Sequence, residues 1–177
     1  HRDFADADHR KRVAEAWDVP VRRLPEDTGP GFVRIVDELA RGDVDVCWTV
    51  ATNPVAGMPD AGHVKNALDD AFLVVQDAFR SDTVECADVV LPAATWGESE
   101  GTVTNMERRV SRVTAAAPGP KDARQDLDII ADIGNRIEPG LFADPPLDPE
   151  SVFAELSGLT AGTKADLSGI SYDRLED

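Results

Sequence analysis

Apolar residues recur along the chain at two spacings, one typical of helices and one typical of buried strands. The helical spacing is clearest in three segments. Their apolar positions are Phe32, Ile35, Val36 and Leu39; Ala61, Val64, Ala67 and Leu68; and Leu127, Ile130, Ala131, Gly134 and Ile137. A weaker helical pattern covers residues 8–17, and Asp148 followed by Pro149 is typical of the start of a short helix.

Three nearly continuous apolar runs predict strands that are buried on both sides. They cover residues 44–50, 72–77 and 88–93, and a helical pattern separates the first two. Strands of this kind are typical of a parallel sheet with helices packed against both faces. The sequence therefore predicts an α/β fold, in which a parallel sheet and flanking helices form a Rossmann-like domain.

Proline and glycine divide the chain into three parts. Residues 1–30 are expected to be a connector from an upstream part of a longer protein, since the chain begins with histidine and not methionine. Residues 31–138 form the predicted α/β domain, in which residues 109–118 are expected to be a short edge strand or an extended arm. Residues 139–177 combine a Pro-rich linker with an extended tail that leads toward a missing C-terminal domain.

The chain is strongly acidic, with a formal net charge of −16 and a pI near 4.4. The acidic residues are scattered and not gathered in runs, which favours a solvating surface of the kind found in proteins made in high salt. Such a surface disfavours nucleic-acid binding, and no apolar run approaches the ~20 residues that cross a bilayer. Cys47 and Cys86 lie in or beside apolar segments without metal-ligand spacing, so we expect buried thiols and no metal site.

A polar or glycine-containing segment follows each predicted strand. Residues 52–62 follow the first strand, Gln76 and Asp77 end the second, and residues 92–109 follow the third. Ligands of parallel sheets bind beyond the carboxyl ends of the strands, so we expect these segments to line one pocket. A nucleotide would suit it. Backbone N–H groups at the helix start near Asp60 suit a phosphate, and the Asp77 carboxylate suits the paired donors of guanine or a ribose diol.

Local charge also favours an anionic ligand at this edge. Residues 96–125 carry five basic and four acidic side chains, a net of +1 in a chain of −16. Asn53 and Asp77 can also have purely structural roles instead of binding a ligand. Asn53 before Pro54 can start a turn, and Asp77 can cap a helix. The chain has no G-x-G-x-x-G motif and no P-loop motif, which disfavours a nicotinamide dehydrogenase or a P-loop enzyme.

The loop after the third strand contains carboxylates that resemble a general acid–base pair, Glu98 and Glu100. Arginines close by in the sequence, Arg108 and Arg109, can pair with these acids and with Glu107 as a structural network. We favour structural or surface roles for this set over catalysis.

Three segments together resemble the molybdopterin oxidoreductases that carry a bis-(molybdopterin guanine dinucleotide) cofactor. They read "CWTVATNPVAGMPDAGHVKNAL", "ADVVLPAATWGESEGTVTNMERR" and "GPKDARQDLDIIADIGNRI". The second string is highly specific for that family. The C-terminal tail resembles that of the assimilatory nitrate reductases more than that of the formate dehydrogenases. The resemblance is to an assimilatory nitrate reductase of a halophilic archaeon.

The resemblance implies that this region is the family's third domain, which holds the guanine dinucleotide end of one pterin. It implies cofactor contacts at Asn53, Gln76, Asp77 and Asp126. Ser99 stands where related periplasmic enzymes have a contacting lysine, which removes one charge from that contact. The resemblance implies no catalytic residue and no metal ligand in this segment, with an iron–sulfur cluster only in the rest of the parent enzyme.

The implied function is that of a fragment, inactive alone, of a cytoplasmic nitrate reductase that takes electrons from a donor such as ferredoxin. Its other partners would be the remaining domains of the parent. Three alternatives stay open. They are a formate dehydrogenase alpha chain, a non-catalytic assembly domain like the one in the large iron–sulfur subunit of NADH–quinone oxidoreductase, and a free-standing nucleotide-binding domain.

Overall fold

The computed structural model describes residues 2–176, which contain seven α-helices and five strands. The helices are α1 Ala7–Ala16, α2 Phe32–Ala40, α3 Pro54–Gly57, α4 Ala61–Asp69, α5 Asp126–Ile137, α6 Pro149–Thr160 and α7 Tyr172–Glu176. The strands are β1 Val46–Val50, β2 Phe72–Asp77, β3 Val89–Pro92, β4 Gly101–Thr104 and β5 Val110–Val113.

The described residues form two compact units. The first, called here the sheet unit, consists of Pro30–Ser99 and Ala115–Leu147. The second, called the hairpin unit, consists of the described residues up to Gly29, of Glu100–Thr114 and of the described residues from Asp148 onward. The sequence-based boundaries at residues 31 and 138 stay a prediction.

A three-stranded parallel sheet in the order β1-β2-β3 forms the centre of the sheet unit, which confirms the predicted α/β class. Val46 of β1 is opposite Phe72 of β2, and Asp77 at the end of β2 is opposite Pro92 of β3. Helices α2 and α4 cover one face. The core on that face contains Val36, Leu39, Val64, Ala67, Leu68, Leu73 and Val75.

The other face of the sheet is less covered than the continuous apolar runs predict. Val46 is 58% exposed and Phe72, its neighbour across the strands, is 50% exposed. Of the described helices, α5 reaches this face through Asp126, whose side chain contacts Gln76. A continuous apolar run predicts a strand that is buried on both faces. It does not show that this chain itself supplies the helices that cover both faces.

The hairpin unit contains a strand that the sequence pattern did not reveal, β4, paired with β5, which lies in the segment predicted as a short edge strand or arm. Strands β4 and β5 pair antiparallel, with Gly101 opposite Val113 and Thr104 opposite Val110. The tip is closed by Asn105, whose backbone N–H donates to Arg109 and whose side chain accepts from the Arg109 N–H at 2.9 Å. Arg108 at this tip has φ 65°, a left-handed conformation that glycine usually adopts, so the sequence does not predict the turn at this position.

A short helix lies in the segment for which the sequence predicts extended chain. Helix α7 packs its Tyr172 ring against Phe153 of α6, with ring centroids 5.9 Å apart, and the Arg112 guanidinium lies 4.8 Å from the centre of the same ring. Arg112 also pairs with Glu176. Five residues are too few to show a helical period, so this helix depends on packing that sequence alone does not display.

Asp148 confirms the predicted start of α6, and it gives a first testable prediction. Its carboxylate accepts from the N–H groups of Glu150 and Ser151 and from the Ser151 hydroxyl, which lowers the pKa of Asp148. Asp148→Ala should therefore lower the urea midpoint of this chain at pH 7. Because the folded pKa lies below the unfolded one, the stabilisation is present above about pH 4 and is lost as the pH falls through the folded pKa.

Unfolding curves of wild type and variant at several pH values test this cap. The gap between their midpoints should shrink below about pH 4. Asp148→Asn is the matched control, since an amide oxygen still accepts the N–H bonds and has no charge to titrate. An Asp148→Ala gap that stays constant with pH would contradict a role for the charged carboxylate.

Candidate functional site

A cleft of about 870 Å³ lies where the three parallel strands end. The segments that follow β1, β2 and β3 line it together with the first residue of α5. The lining residues are Ala51, Thr52, Asn53, Asp77, Ala78, Phe79, Ser81, Ala93, Ala94, Thr95, Trp96, Gly97, Ser99 and Asp126. The structure thus brings together the strand ends at which the sequence predicts a ligand.

Asn53 forms the β1 wall of the cleft, and its carbonyl oxygen is fully used by the protein. That oxygen accepts from the Thr83 hydroxyl at 2.8 Å, from the Thr83 N–H at 3.3 Å and from the N–H of Ala56 at 3.4 Å. Its amide nitrogen makes a single long contact, 3.5 Å to the Asp82 carboxylate. Asn53 can therefore offer a ligand N–H donors, in an orientation fixed by the buried Thr83.

Asp77 forms the β2 wall and keeps one oxygen available. Its Oδ1 accepts from the Phe79 N–H at 3.0 Å, an interaction that closes the turn after the strand. Its Oδ2 has no partner among residues 2–176. The short 3₁₀ helix that follows, Val84–Cys86, has Thr83 as its cap residue, so the alternative role of Asp77 as a helix cap is wrong.

The β3 wall is a rigid turn from Thr95 to Ser99. The Glu98 carboxylate accepts from the Thr95 N–H at 2.8 Å in a capping box, and the Ser99 hydroxyl donates to the Thr95 carbonyl at 3.0 Å. Glu98 is therefore structural, as favoured from the sequence, and Glu100 belongs to the hairpin unit. Ser99 lies in the cleft with its hydroxyl proton already donated.

Gln76 is the predicted contact residue that the structure keeps out of the cleft. Its side chain is 0% exposed, and its amide nitrogen donates to the Asp126 carboxylate at 2.6 Å and to the Asp126 carbonyl at 3.3 Å. Its amide oxygen is buried without a partner among the described residues. Asp126 itself lines the cleft, so Gln76 reaches the site through this neighbour.

Two carboxylates and no lysine or arginine are among the described residues that line the cleft. Two of the five basic side chains of residues 96–125 are engaged elsewhere. Arg112 pairs with Glu176, and Arg124 pairs with Asp132 at 2.9 Å and lowers the pKa of that carboxyl group. The net +1 of residues 96–125 therefore does not describe the cleft, since side chains close in sequence point to different neighbours.

The phosphate site expected near Asp60 is also occupied by the protein. The Asp60 carboxylate caps α4 by accepting from the His63 N–H at 3.1 Å, which places a negative charge at that helix start. The cleft residues do not include Asp60. An anion at this helix N-terminus would meet a carboxylate, which disfavours this part of the nucleotide hypothesis.

Two aromatic side chains that were not predicted from the sequence also line the cleft. Phe79 is 71% exposed and Trp96 is 72% exposed, one in the β2 wall and one in the β3 wall. Large apolar rings exposed to this extent are suited to stacking against a planar ligand group. Phe79 lies two residues after the strand-end Asp77 and Trp96 directly follows the segment Pro-Ala-Ala-Thr, and these positions at strand ends could have suggested both rings.

A second cavity, of about 170 Å³, lies in the hairpin unit and is largely apolar. Some of its polar groups are paired within the unit: Arg2 donates to the Leu159 and Ala161 carbonyls, and His9 accepts from the Asp3 N–H at 2.9 Å. The Nε of Arg10, which also lines the cavity, is buried without a partner among the described residues. Among residues 2–176, no cluster of three or more His, Cys, Asp or Glu side chains could hold a metal ion, and no helix is long and apolar enough to cross a membrane. The thiols of Cys47 and Cys86 are half-buried and free, and burial raises the pKa of both.

Residues 8–136 match the family model of the molybdopterin oxidoreductases, which covers most of the chain. The chain belongs to this family. The predicted resemblance is therefore confirmed at the family level. In this molybdopterin oxidoreductase chain, the matched residues include all three cleft walls and Asp126.

Similar proteins agree with this family. The chain is 63% identical over 99% of its length to an assimilatory nitrate reductase of Haloferax mediterranei, and 37% identical over 99% to a nitrate reductase of Synechocystis. It spans about a quarter of the length of each. The solved structure of acetylene hydratase from Pelobacter acetylenicus superposes with a TM-score of 0.63 at 17% identity, covering 96% of this chain and 23% of that one, which shows a shared fold.

Proposed function

We propose that this chain is the segment of a molybdenum-dependent nitrate reductase that holds the guanine dinucleotide end of its pterin cofactor. The observation that carries the proposal is the cleft at the strand ends, with the carboxylates of Asp77 and Asp126 in it and no basic side chain among its described lining. The 63% identity to an assimilatory nitrate reductase favours nitrate over formate as the substrate of the whole enzyme.

The donor and acceptor groups of the cleft fit a nucleoside better than a diphosphate. Guanine offers an N–H and an amino group side by side, and a ribose offers two hydroxyls, and each pair suits one carboxylate. Phosphate oxygens would find N–H donors on Asn53 and on backbone groups, but no cation. We therefore propose that the nucleoside occupies this cleft and that other parts of the enzyme neutralise the phosphates.

The four predicted contact residues that line the cleft would have distinct roles. Asp77 and Asp126 would accept from the ribose or the base, and Asn53 would donate through its amide. Ser99 would accept, because its proton is bound to the Thr95 carbonyl. The fifth, Gln76, is buried and would make no contact with the ligand.

The molybdenum–pterin group supplies the chemistry of nitrate reduction when it is bound, and this chain supplies its position. The remaining domains of the enzyme would close the cofactor and hold an iron–sulfur cluster that receives electrons from a donor such as ferredoxin. We place the enzyme in the cytoplasm. The acidic surface, with its net charge of −16, would serve solubility in a high-salt cell.

The test is made in the full-length enzyme. Asp77→Ala should lower the amount of guanine nucleotide and molybdenum that co-purifies with the protein by about tenfold, because unpaired donors remain on the buried ligand. Acid release of GMP and metal analysis measure both. Asp70→Ala is the matched control, since Asp70 is an exposed acid at the end of α4, away from the cleft.

The outcomes separate the parts of the proposal. Full guanine and molybdenum content in Asp77→Ala would show that this carboxylate only closes the turn at Phe79. Protein that carries the cofactor but does not reduce nitrate with an artificial electron donor would reject nitrate as the substrate and leave the binding role intact. Micromolar binding of GMP by the isolated chain in calorimetry would instead favour a free-standing nucleotide-binding domain.

A further inference from the structure

Gln76 has a buried amide that the proposed cofactor contacts leave without a role. It lies near the end of β2, its side chain is 0% exposed, and it is absent from the cleft lining. A ligand in the cleft cannot reach its unpartnered amide oxygen without displacing protein atoms. Direct recognition of the cofactor by Gln76 is therefore disfavoured by its position.

The Gln76 amide is instead committed to a single residue. Its nitrogen donates to the Asp126 Oδ1 at 2.6 Å and lies 3.3 Å from the carbonyl oxygen of the same residue. A glutamine has two N–H donors on that nitrogen, which suits two acceptors on one neighbour. The opposite amide orientation would face the amide oxygen toward the carboxylate and backbone oxygens of Asp126, so the hydrogen bond fixes the orientation of the amide.

Asp126 is held on one side and free on the other. Its Oδ1 faces Gln76, and its Oδ2 has no partner in residues 2–176. Asp126 lines the cleft and is the first residue of α5, and the cap residue before it, Gln125, makes no side-chain capping bond. Within residues 2–176 the hydrogen bond to the Asp126 side chain comes from Gln76, so the Gln76 bond is what sets the direction of this carboxylate.

We infer that Gln76 is a positioning residue for Asp126. It holds one carboxylate oxygen so that the other is presented to the paired N–H donors of the ligand. This inference rests on the proposed function, since it assigns to Asp126 the nucleoside contact. It differs from the resemblance-based expectation, because Gln76 acts through Asp126 and touches no part of the cofactor.

The buried amide oxygen supports this assignment. An unpartnered buried carbonyl is destabilising, and a leucine of similar size would remove that penalty. A residue selected only for packing would therefore gain from being apolar, as Val50 and Leu91 beside it in the sheet are. The benefit of the glutamine lies in its N–H groups, and these point at Asp126.

A double-mutant cycle in the full-length enzyme tests the inference. The variants are Gln76→Leu, Asp126→Ala and both together. Each enzyme is dialysed for a fixed time, and the guanine nucleotide that it retains is released with acid and measured as GMP. Each single variant should weaken retention by about tenfold. The double variant should match Asp126→Ala, since Gln76 has no effect without the carboxylate it orients.

A pH readout separates positioning from packing. Gln76→Glu places two carboxyl groups in contact, and Asp126 is the one titratable side chain hydrogen-bonded to position 76 among the described residues. Below about pH 5 a shared proton should restore the bond and the retention of nucleotide, while at about pH 8 repulsion should abolish both. Gln76→Leu should show no such recovery at low pH.

Thr49→Val is the matched control for loss of a buried polar atom. Thr49 is buried in β1 with an unpartnered hydroxyl, on the opposite side of the sheet from Gln76. It should retain nucleotide as wild type does. Additive losses of about a hundredfold in the double variant would overturn the inference and show a direct contact by Gln76.

Two further results would decide the remaining cases. Retention that follows the urea midpoint across all variants, with no recovery of Gln76→Glu at low pH, would show a purely structural role and overturn the inference. An Asp126→Ala variant with wild-type retention would reject Asp126 as the proposed ligand contact, and would be distinct from failure of the inference alone.

Discussion

Replacing Leu73 by alanine is expected to destabilise this chain by about 3 kcal/mol, a large part of the stability of a typical domain. Leu73 lies on the central strand and is completely buried among the side chains of α2 and α4. Its backbone is also fixed, because its N–H donates to the Asp88 carboxylate at 2.7 Å and its carbonyl accepts from the Asp88 N–H. The surroundings therefore cannot collapse easily into the cavity that alanine leaves.

Urea unfolding followed by tryptophan fluorescence measures this effect, since Trp48 lies on the adjacent strand. Val46→Ala is the control, because Val46 is on the exposed side of the sheet and should lose less than about 1 kcal/mol. Equal losses in the two variants would mean that helices α2 and α4 do not form the core in solution.

Thr83→Val is expected to destabilise the chain by about 2 kcal/mol although it preserves the shape of the side chain. The buried Thr83 hydroxyl donates to the Asn53 Oδ1 at 2.8 Å and accepts from the Val55 N–H at 3.2 Å. Valine leaves both groups without that partner. Because Asn53 forms one wall of the cleft, its amide should also lose its fixed direction.

Thr83→Ser is the matched control, as it keeps the hydroxyl and removes only a methyl group. Urea midpoints give the loss in stability, and amide hydrogen exchange at Val55 should become faster in Thr83→Val alone. Unchanged exchange at Val55 would contradict the hydrogen bond from that N–H. A serine variant as unstable as the valine variant would show that the methyl contact, and not the hydroxyl, is what matters.

The sequence predicted the elements with strong periodicity and missed those that depend on partners. Strand β2 is found at the predicted residues 72–77, because an apolar run between polar ends has clear limits. Helix α5 begins at Asp126, because Arg124 two residues earlier pairs its backbone with Pro92 and Ala94 at the edge of the sheet. Nothing in the local pattern announces that non-local pairing.

For the site, too, the location could be predicted from the sequence and the individual contacts could not. Strand ends in a parallel sheet have a known position, so the location of the cleft could be predicted from the strand order alone. The role of each side chain could not, because it depends on which neighbour lies opposite. Alternation in β2 indicates that Gln76 and Asp77 face different sides, but only the placement of α5 shows that Gln76 meets Asp126. Thr83 carries no sequence signal for its contact with Asn53.

The adjacency of Gln76 and Asp77 in β2 has a consequence for how this chain can change in evolution. Successive strand residues point to opposite faces, so one inserted or deleted residue would exchange the buried amide and the cleft carboxylate. Such a change would bury a charge and remove a ligand group in one event. Length variation is therefore expected to be excluded from β2 among descendants of this gene, whereas the exposed hairpin tip at residues 105–109 can absorb it.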